Sequence, residues 1–313
     1  MPALAIARRV ATAGIAMMLC AATGAPAAAQ APWEIEVYGA ATALPRSVIV
    51  ELHSNYDFRG PTAQPGCAGP PVVDDNRVPT AGGVNRSAAQ GCAPPPLFLF
   101  EPRSPGVAFA SQASVSAPAT RAVHETFEIV AGAGTWLEFG GYVFSSVDDS
   151  AGFLVAGGSL RAKARVPGSW RWPIGLALSS EIEHERAAFS VNTWSWEIRP
   201  VIDMSAGRWY ISVNPTLVRT VAGPGTANGV QFSPSGKAAF DLTRGVSAGI
   251  EYYGALGELG AFPPASSRLQ QIYAAFDLHS AAVWEVNAGV GFGITPATNQ
   301  LMVKALIGRR ITW

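Results

Sequence analysis

Charge is scarce in this chain. Asp, Glu, Lys and Arg make up 14% of its 313 residues, against roughly 25% in an ordinary soluble domain. The two signs balance at 22 each, which removes any electrostatic case for nucleic acid as a partner. Cysteine is nearly absent, at three residues. The four histidines, His53, His124, His184 and His279, show no close metal-ligand spacing, so no metal is assigned. There is no G-x-S-x-G elbow, no glycine phosphate loop and no zinc motif. Catalytic residues and cofactors are therefore none, and the chain is not read as an enzyme. Beyond residue 30 no apolar run is long enough for a membrane helix, although mean hydropathy is positive at +0.20. A hydrophobic chain without membrane helices is either a large soluble β-protein or a barrel of alternating strands.

The N-terminus points to export. Arg8 and Arg9 precede an apolar run, Val10 to Ala22, and Ala27-x-Ala29 offers a cleavage site before Gln30. Basic head, apolar middle and small-residue exit make residues 1–29 a signal peptide. A retained helix fits less well, because Gly24 and Pro26 interrupt it. Cys20 does not mark a lipoprotein, since Met17-Met18-Leu19 lacks the small residue expected before a lipidated cysteine. Cleavage would leave 20 basic residues against 22 acidic, only Arg8 and Arg9 being lost.

Period-2 patterning runs through residues 47–313. In Ser47–Phe58 one face holds Val48, Val50, Leu52, Tyr56 and Phe58, and the other Ile49, Glu51, His53, Asn55 and Asp57. Adjacent strand residues face opposite ways, so one surface is oily and the other wet. Similar segments fall at about 121–132, 135–147, 153–166, 173–187, 193–204, 208–221, 230–243, 246–258, 268–280, 283–295 and 300–313. Most are long enough for a tilted membrane strand, which needs about nine to eleven residues. Tight glycine turns at 131–135, 166–169, 205–208 and 243–245 alternate with longer links, the loop economy of outer-membrane barrels. The patterning predicts an all-β, antiparallel up-and-down transmembrane barrel of about 12 strands.

Two segments stand apart. Trp33-Glu-Ile-Glu-Val-Tyr38 also alternates, but counting it as a spanning strand spoils the even number. Residues 30–46 are accordingly expected to be a periplasmic, luminal or partial-strand element. Residues 59–118 form a Pro/Gly-rich insertion too poor in apolar residues for a core of its own. It carries Cys67 and Cys92, either a disulfide, favoured in an oxidising compartment, or two free thiols. A bridge there would contribute about 3 kcal/mol in the loop-entropy model.

Placing charges inward puts Trp196, Ile198, Ile202 and Met204 outside and Glu197, Arg199 and Asp203 inside. Val246, Ile250 and Tyr252 likewise oppose Ser247 and Glu251. In the last segment Val303, Ala305, Ile307, Ile311 and Trp313 share the oily face, with Arg309 as the exception. Near a membrane rim an arginine costs only about 0–1 kcal/mol. Candidate lumen residues are Glu51, His53, Asn55, Glu128, Arg161, Lys163, Arg165, Glu181, Glu183, Glu185, Glu197, Arg199, Asp203, Tyr210, Asn214 and Glu251. The rows Arg161, Lys163, Arg165 and Glu181, Glu183, Glu185 would meet as a cross-strand ion ladder, either ordering a solute or filling the interior. His53 and His124, with Glu51 and Glu128 nearby, make either a proton- or metal-binding patch or ordinary interior hydrogen bonds. His53-Ser54 is no hydrolase pair, because neighbouring strand residues diverge.

The terminal Trp313, after alternating apolar residues, resembles the signature by which bacterial outer-membrane proteins engage the barrel-insertion machinery. More specifically, Trp33-Glu-Ile-Glu, Glu51-Leu-His-Ser-Asn-Tyr56, His124-Glu-Thr-Phe-Glu128, Trp194-Ser-Trp-Glu-Ile-Arg-Pro200, Asn214-Pro-Thr216 and Glu251-Tyr-Tyr-Gly254 resemble landmarks of a sparsely characterised bacterial barrel family. Its members are labelled transporters or phenol-degradation-pathway proteins. The resemblance spans most of 33–58 and 119–313 and implies an exported barrel in the cell outer membrane, with no catalytic residues. The partners expected are outer-membrane lipids, the insertion machinery and an unidentified small solute. A passive or facilitated channel is the favoured function, a non-conducting surface or structural barrel the alternative, and a lipid hydrolase a more remote one.

Overall fold

The computed structural model describes residues 33–62, 122–148, 152–168, 173–280 and 283–313. Residues 1–29, expected to be a signal peptide, and the disulfide candidates Cys67 and Cys92 lie outside these residues. Twelve long strands form the wall: β1 (Ser47–Arg59), β2 (Val123–Gly132), β3 (Leu137–Asp148), β4 (Gly152–Arg165), β5 (Gly175–Glu185), β6 (Trp194–Ala206), β7 (Trp209–Ala222), β8 (Gln231–Thr243), β9 (Val246–Ala255), β11 (Leu269–Ser280), β12 (Trp284–Gly293) and β13 (Leu301–Thr312). The two-residue β10 (Gly257–Glu258) adds to β8 above β9.

Every long strand pairs antiparallel with its neighbour along the chain, and β1 pairs with β13 to close the ring. Closure leaves none of the twelve long strands at a sheet edge. The expected all-β, twelve-stranded barrel is therefore present, with strand limits within a few residues of the alternating segments. Short connections, such as Gly207-Arg208 with Gly207 at φ 65°, gather at one rim. Longer ones, such as 223–230 and 256–268, gather at the other.

The barrel's polarity is that of a soluble protein turned inside out. Leu160 is 68% exposed and Ile250 56%, while Glu128 and Glu251 are each 1% exposed. A soluble sandwich would bury those apolar side chains against a second sheet, and here they face away from the ring. Arg309, on the outer face, lies over the Trp284 ring at 5.1 Å. It sits next to the short-turn rim, where a cation on the apolar face costs least.

The wall is irregular where proline enters it. Pro200 on β6 and Pro215 on β7 fall in a gap in the β6–β7 register between Ile198↔Leu217 and Ile202↔Val213, and Pro215 faces Pro234 on β8. Proline has no N–H to give the ladder, so pairing lapses at this height.

Residues from Trp33 to Ala43 lie inside the cylinder. They are not a strand of the wall and not a periplasmic tail. Among the described residues, the segment's one isolated bridge to the sheet is Pro45↔Gly132. Trp33 sits among Tyr142, Phe144 and Phe189 toward the long-loop rim, and Pro45 reaches the short-turn rim. Arg46, at φ 57°, then reverses the chain into β1, with Ser47 Oγ donating to the Leu44 carbonyl at 2.7 Å.

Candidate functional site

An extended segment without strand partners must satisfy its main-chain groups some other way. Here the wall's side chains do it. Asn55 and Thr126 donate to the Trp33 carbonyl, at 3.5 and 2.6 Å. Lys304 donates to the Ile35 carbonyl at 3.0 Å. Asn214 clamps Tyr38 from both sides, its Oδ1 accepting from the Tyr38 amide at 2.8 Å and its Nδ2 donating to the carbonyl at 3.0 Å. Asp203 accepts from the Ala40 amide at 2.7 Å and Glu138 from the Ala43 amide at 2.5 Å. Of these side chains, Asn55, Asn214 and Asp203 are ones that the period-2 pattern had set on the wet face.

The segment's own side chains alternate as well. Ile35 and Val37 pack on Tyr253, Tyr273 and Met302. Glu34 approaches Arg199 at 3.8 Å, and Tyr38 lies under two guanidinium groups, Arg161 at 4.6 Å and Arg199 at 4.3 Å from its centroid.

Three ion networks surround the segment. In the first, Arg161 bonds Glu128 at 2.9 Å and Glu138 at 3.4 Å, Lys163 pairs with Glu138 at 2.9 Å, and His53 lies 3.1 Å from Glu128 and 3.5 Å from Glu51. In the second, Lys304 pairs with Glu251, while Lys237 joins Glu251 at 3.2 Å to Asp277 at 2.6 Å. The third is Arg199 with Glu197 at 2.6 Å.

Of the residues singled out in sequence, Glu51, His53, Asn55, Glu128, Arg161, Lys163, Glu181, Asn214 and Glu251 are buried inside the barrel. Arg165, Glu183, Glu185, Glu197, Arg199, Asp203 and Tyr210 are half-buried. Trp313 is 72% exposed just past β13.

The expected ladder between Arg161, Lys163, Arg165 and Glu181, Glu183, Glu185 does not form. Register sets Arg161 opposite Glu181 but Lys163 opposite Ser179 and Glu183 opposite Ser159, so the two rows overlap at one pair only. The Arg161 guanidinium turns instead to β2 and β3. Glu181 accepts from Ser159 Oγ, and Glu185 accepts from Trp33 Nε1 at 2.6 Å.

His124 is apart from His53. Its ring meets Trp33 edge-on at 5.0 Å, and neither nitrogen has a hydrogen-bond partner among the described residues. Sequence reasoning missed Glu34, Glu36, Tyr38, Glu138, Lys237 and Lys304. For Glu34 and Glu36 the signal was present, as the alternation of 33–38 that disturbed the strand count. Lys304 was equally visible as the inward partner of Val303 and Ala305.

No protein family and no curated protein matches the chain. Among solved structures it is similar to the COG4313 outer membrane channel from Pseudomonas putida F1, at TM-score 0.52 and 9% identity, covering 89% of this chain and 100% of that one. The translocator domain of the autotransporter NalP from Neisseria meningitidis is a more distant likeness, at TM-score 0.38 and 10% identity over 85% and 88%. At such identities the likeness extends to the fold alone. The chain has the fold of a bacterial outer-membrane β-barrel.

Proposed function

We propose that this chain is an outer-membrane channel for small solutes, passive or facilitated, whose lumen is narrowed by its own N-terminal segment. One observation carries the reading. The interior is lined with charged and hydrogen-bonding side chains, and the segment within it is held by those side chains rather than by ladder bonds. A barrel built only to be solid has no need of a separately threaded filling. Such a segment can shift without unzipping the wall, because removing it breaks side-chain contacts and leaves the twelve-strand ladder intact.

In this reading the apolar belt contacts outer-membrane lipids, the short-turn rim faces the periplasm, and Trp313 is the terminal aromatic offered to the insertion machinery. The mixed signs inside argue against strong ion selectivity, which usually comes from rings of one sign. A non-conducting barrel is the second reading, favoured by the density of ion pairs around the segment.

Solute entry into liposomes separates the two. Vesicles containing the folded chain should admit small sugars or amino acids faster than empty vesicles and exclude large oligosaccharides. Entry no faster than in empty vesicles, with folding confirmed by a heat-dependent gel shift, would favour the closed barrel.

A further inference from the structure

Where the internal segment passes β1 and β2, four potential ligands converge: Glu36 from the segment, Glu51 and His53 from β1, and Glu128 from β2. One donor atom of each lies within 4.8 Å of all the others. We infer that these four side chains form a binding site for a divalent first-row transition metal, with zinc as its representative.

Ligand type favours this class. An imidazole with three carboxylates suits a borderline cation, whereas calcium and magnesium prefer oxygen alone. Spacing agrees. Zinc bonds of about 2.0–2.2 Å place tetrahedral donors about 3.3–3.5 Å apart, and His53 Nε2 stands 3.1 Å from Glu128 Oε2 and 3.5 Å from Glu51 Oε2.

Charge agrees too. Metal ligation requires ionised carboxylates and a neutral imidazole; in that state, with Arg161 beside Glu128, a divalent ion would balance the two remaining negative charges. Arg161 also orients its carboxylate, as outer-shell partners of metal ligands do.

The independent sign is Glu36 itself. Its Oε2 is shut off from solvent and has no hydrogen-bond partner among the described residues. A buried carboxylate oxygen without a partner is costly, and this one belongs to the group whose donors could close on an ion. Bound there, the metal would tie the internal segment to the wall. This inference does not depend on whether the barrel conducts.

The test is zinc titration of the intact, detergent-folded chain by calorimetry, with cobalt absorption reporting the ligand field. We expect one equivalent per chain, undisturbed by excess magnesium. Glu36→Gln should weaken binding at least tenfold and His53→Gln should remove the cobalt bands, while His184→Gln, a histidine outside the site, changes neither. Glu36 is outside the strand ladder, so its variant remains decisive if His53→Gln does not fold. The assignment is overturned by absence of stoichiometric binding, by equal affinity in the Glu36→Gln chain, or by calcium taking the site in preference to zinc.

Discussion

The Lys304 ammonium, on β13, donates to the main-chain carbonyl of Ile35 at 3.0 Å while pairing with Glu251 on β9. One wall cation thus belongs both to the barrel's internal ion network and to the segment threaded through it. Lys304→Met removes both roles. Breaking a buried pair costs about 3–5 kcal/mol, and the loss should fall at the lower end because Lys237 still faces Glu251. Unfolding in denaturant measures it, and the same variant should admit solute faster than the parent.

Tyr38 separates its ring from its hydroxyl. The ring lies under Arg161 and Arg199, whereas the hydroxyl has no hydrogen-bond partner among the described residues. Tyr38→Phe should therefore leave stability unchanged or raised. Tyr38→Ala should lower it by about 3–5 kcal/mol, as truncation of a buried aromatic does. Equal losses in the two variants would show that the hydroxyl, not the ring, holds the segment.

Gly132 allows a close main-chain approach of segment and wall. A Cβ there would meet the Leu44 carbonyl oxygen, and the Ala43 carbonyl oxygen at 2.6 Å, both main-chain atoms that cannot rotate away. Gly132→Ala should cost about 1–3 kcal/mol and loosen the segment at the short-turn rim. Increased current noise in planar bilayers would record that loosening, and an unaltered trace would count against it.

The outward face is testable at Leu160, mid-strand on β4 and 68% exposed. Leu160→Arg should destabilise the lipid-embedded barrel by about 2–4 kcal/mol, the cost of arginine near a bilayer midplane. Leu160→Ile should be near neutral. Refolding into vesicles compares them, and no penalty for arginine would mean that this face does not meet lipid.

The strands were legible because each one separates an oily environment from an ionic one, so period-2 alternation persists along its whole length. The segment at β1, read as Ser47 to Phe58, ends one residue short of the observed Arg59. The role of Trp33–Tyr38 was not legible. Extended chain alternates whether its main chain is bonded by a neighbouring strand or by side chains, and the sequence does not say which. The ion pairing failed to read for a related reason. Arg161 and Glu181 do stand opposite each other, but a long guanidinium chooses among carboxylates on several strands, and Glu138 on the adjacent β3 and Glu128 on β2 both lie within its reach. The joining of Glu36 to Glu51, His53 and Glu128 likewise depends on where a non-strand segment passes the wall.

Single-channel recording of the intact chain beside a variant lacking residues 33–43, which keeps the Leu44-Pro45-Arg46 turn, tests the central claim most directly. The account predicts a small conductance for the intact chain and one several-fold larger for the variant, because the wall is complete without the segment. Identical conductance in the two, or no current from a correctly folded variant, would contradict it.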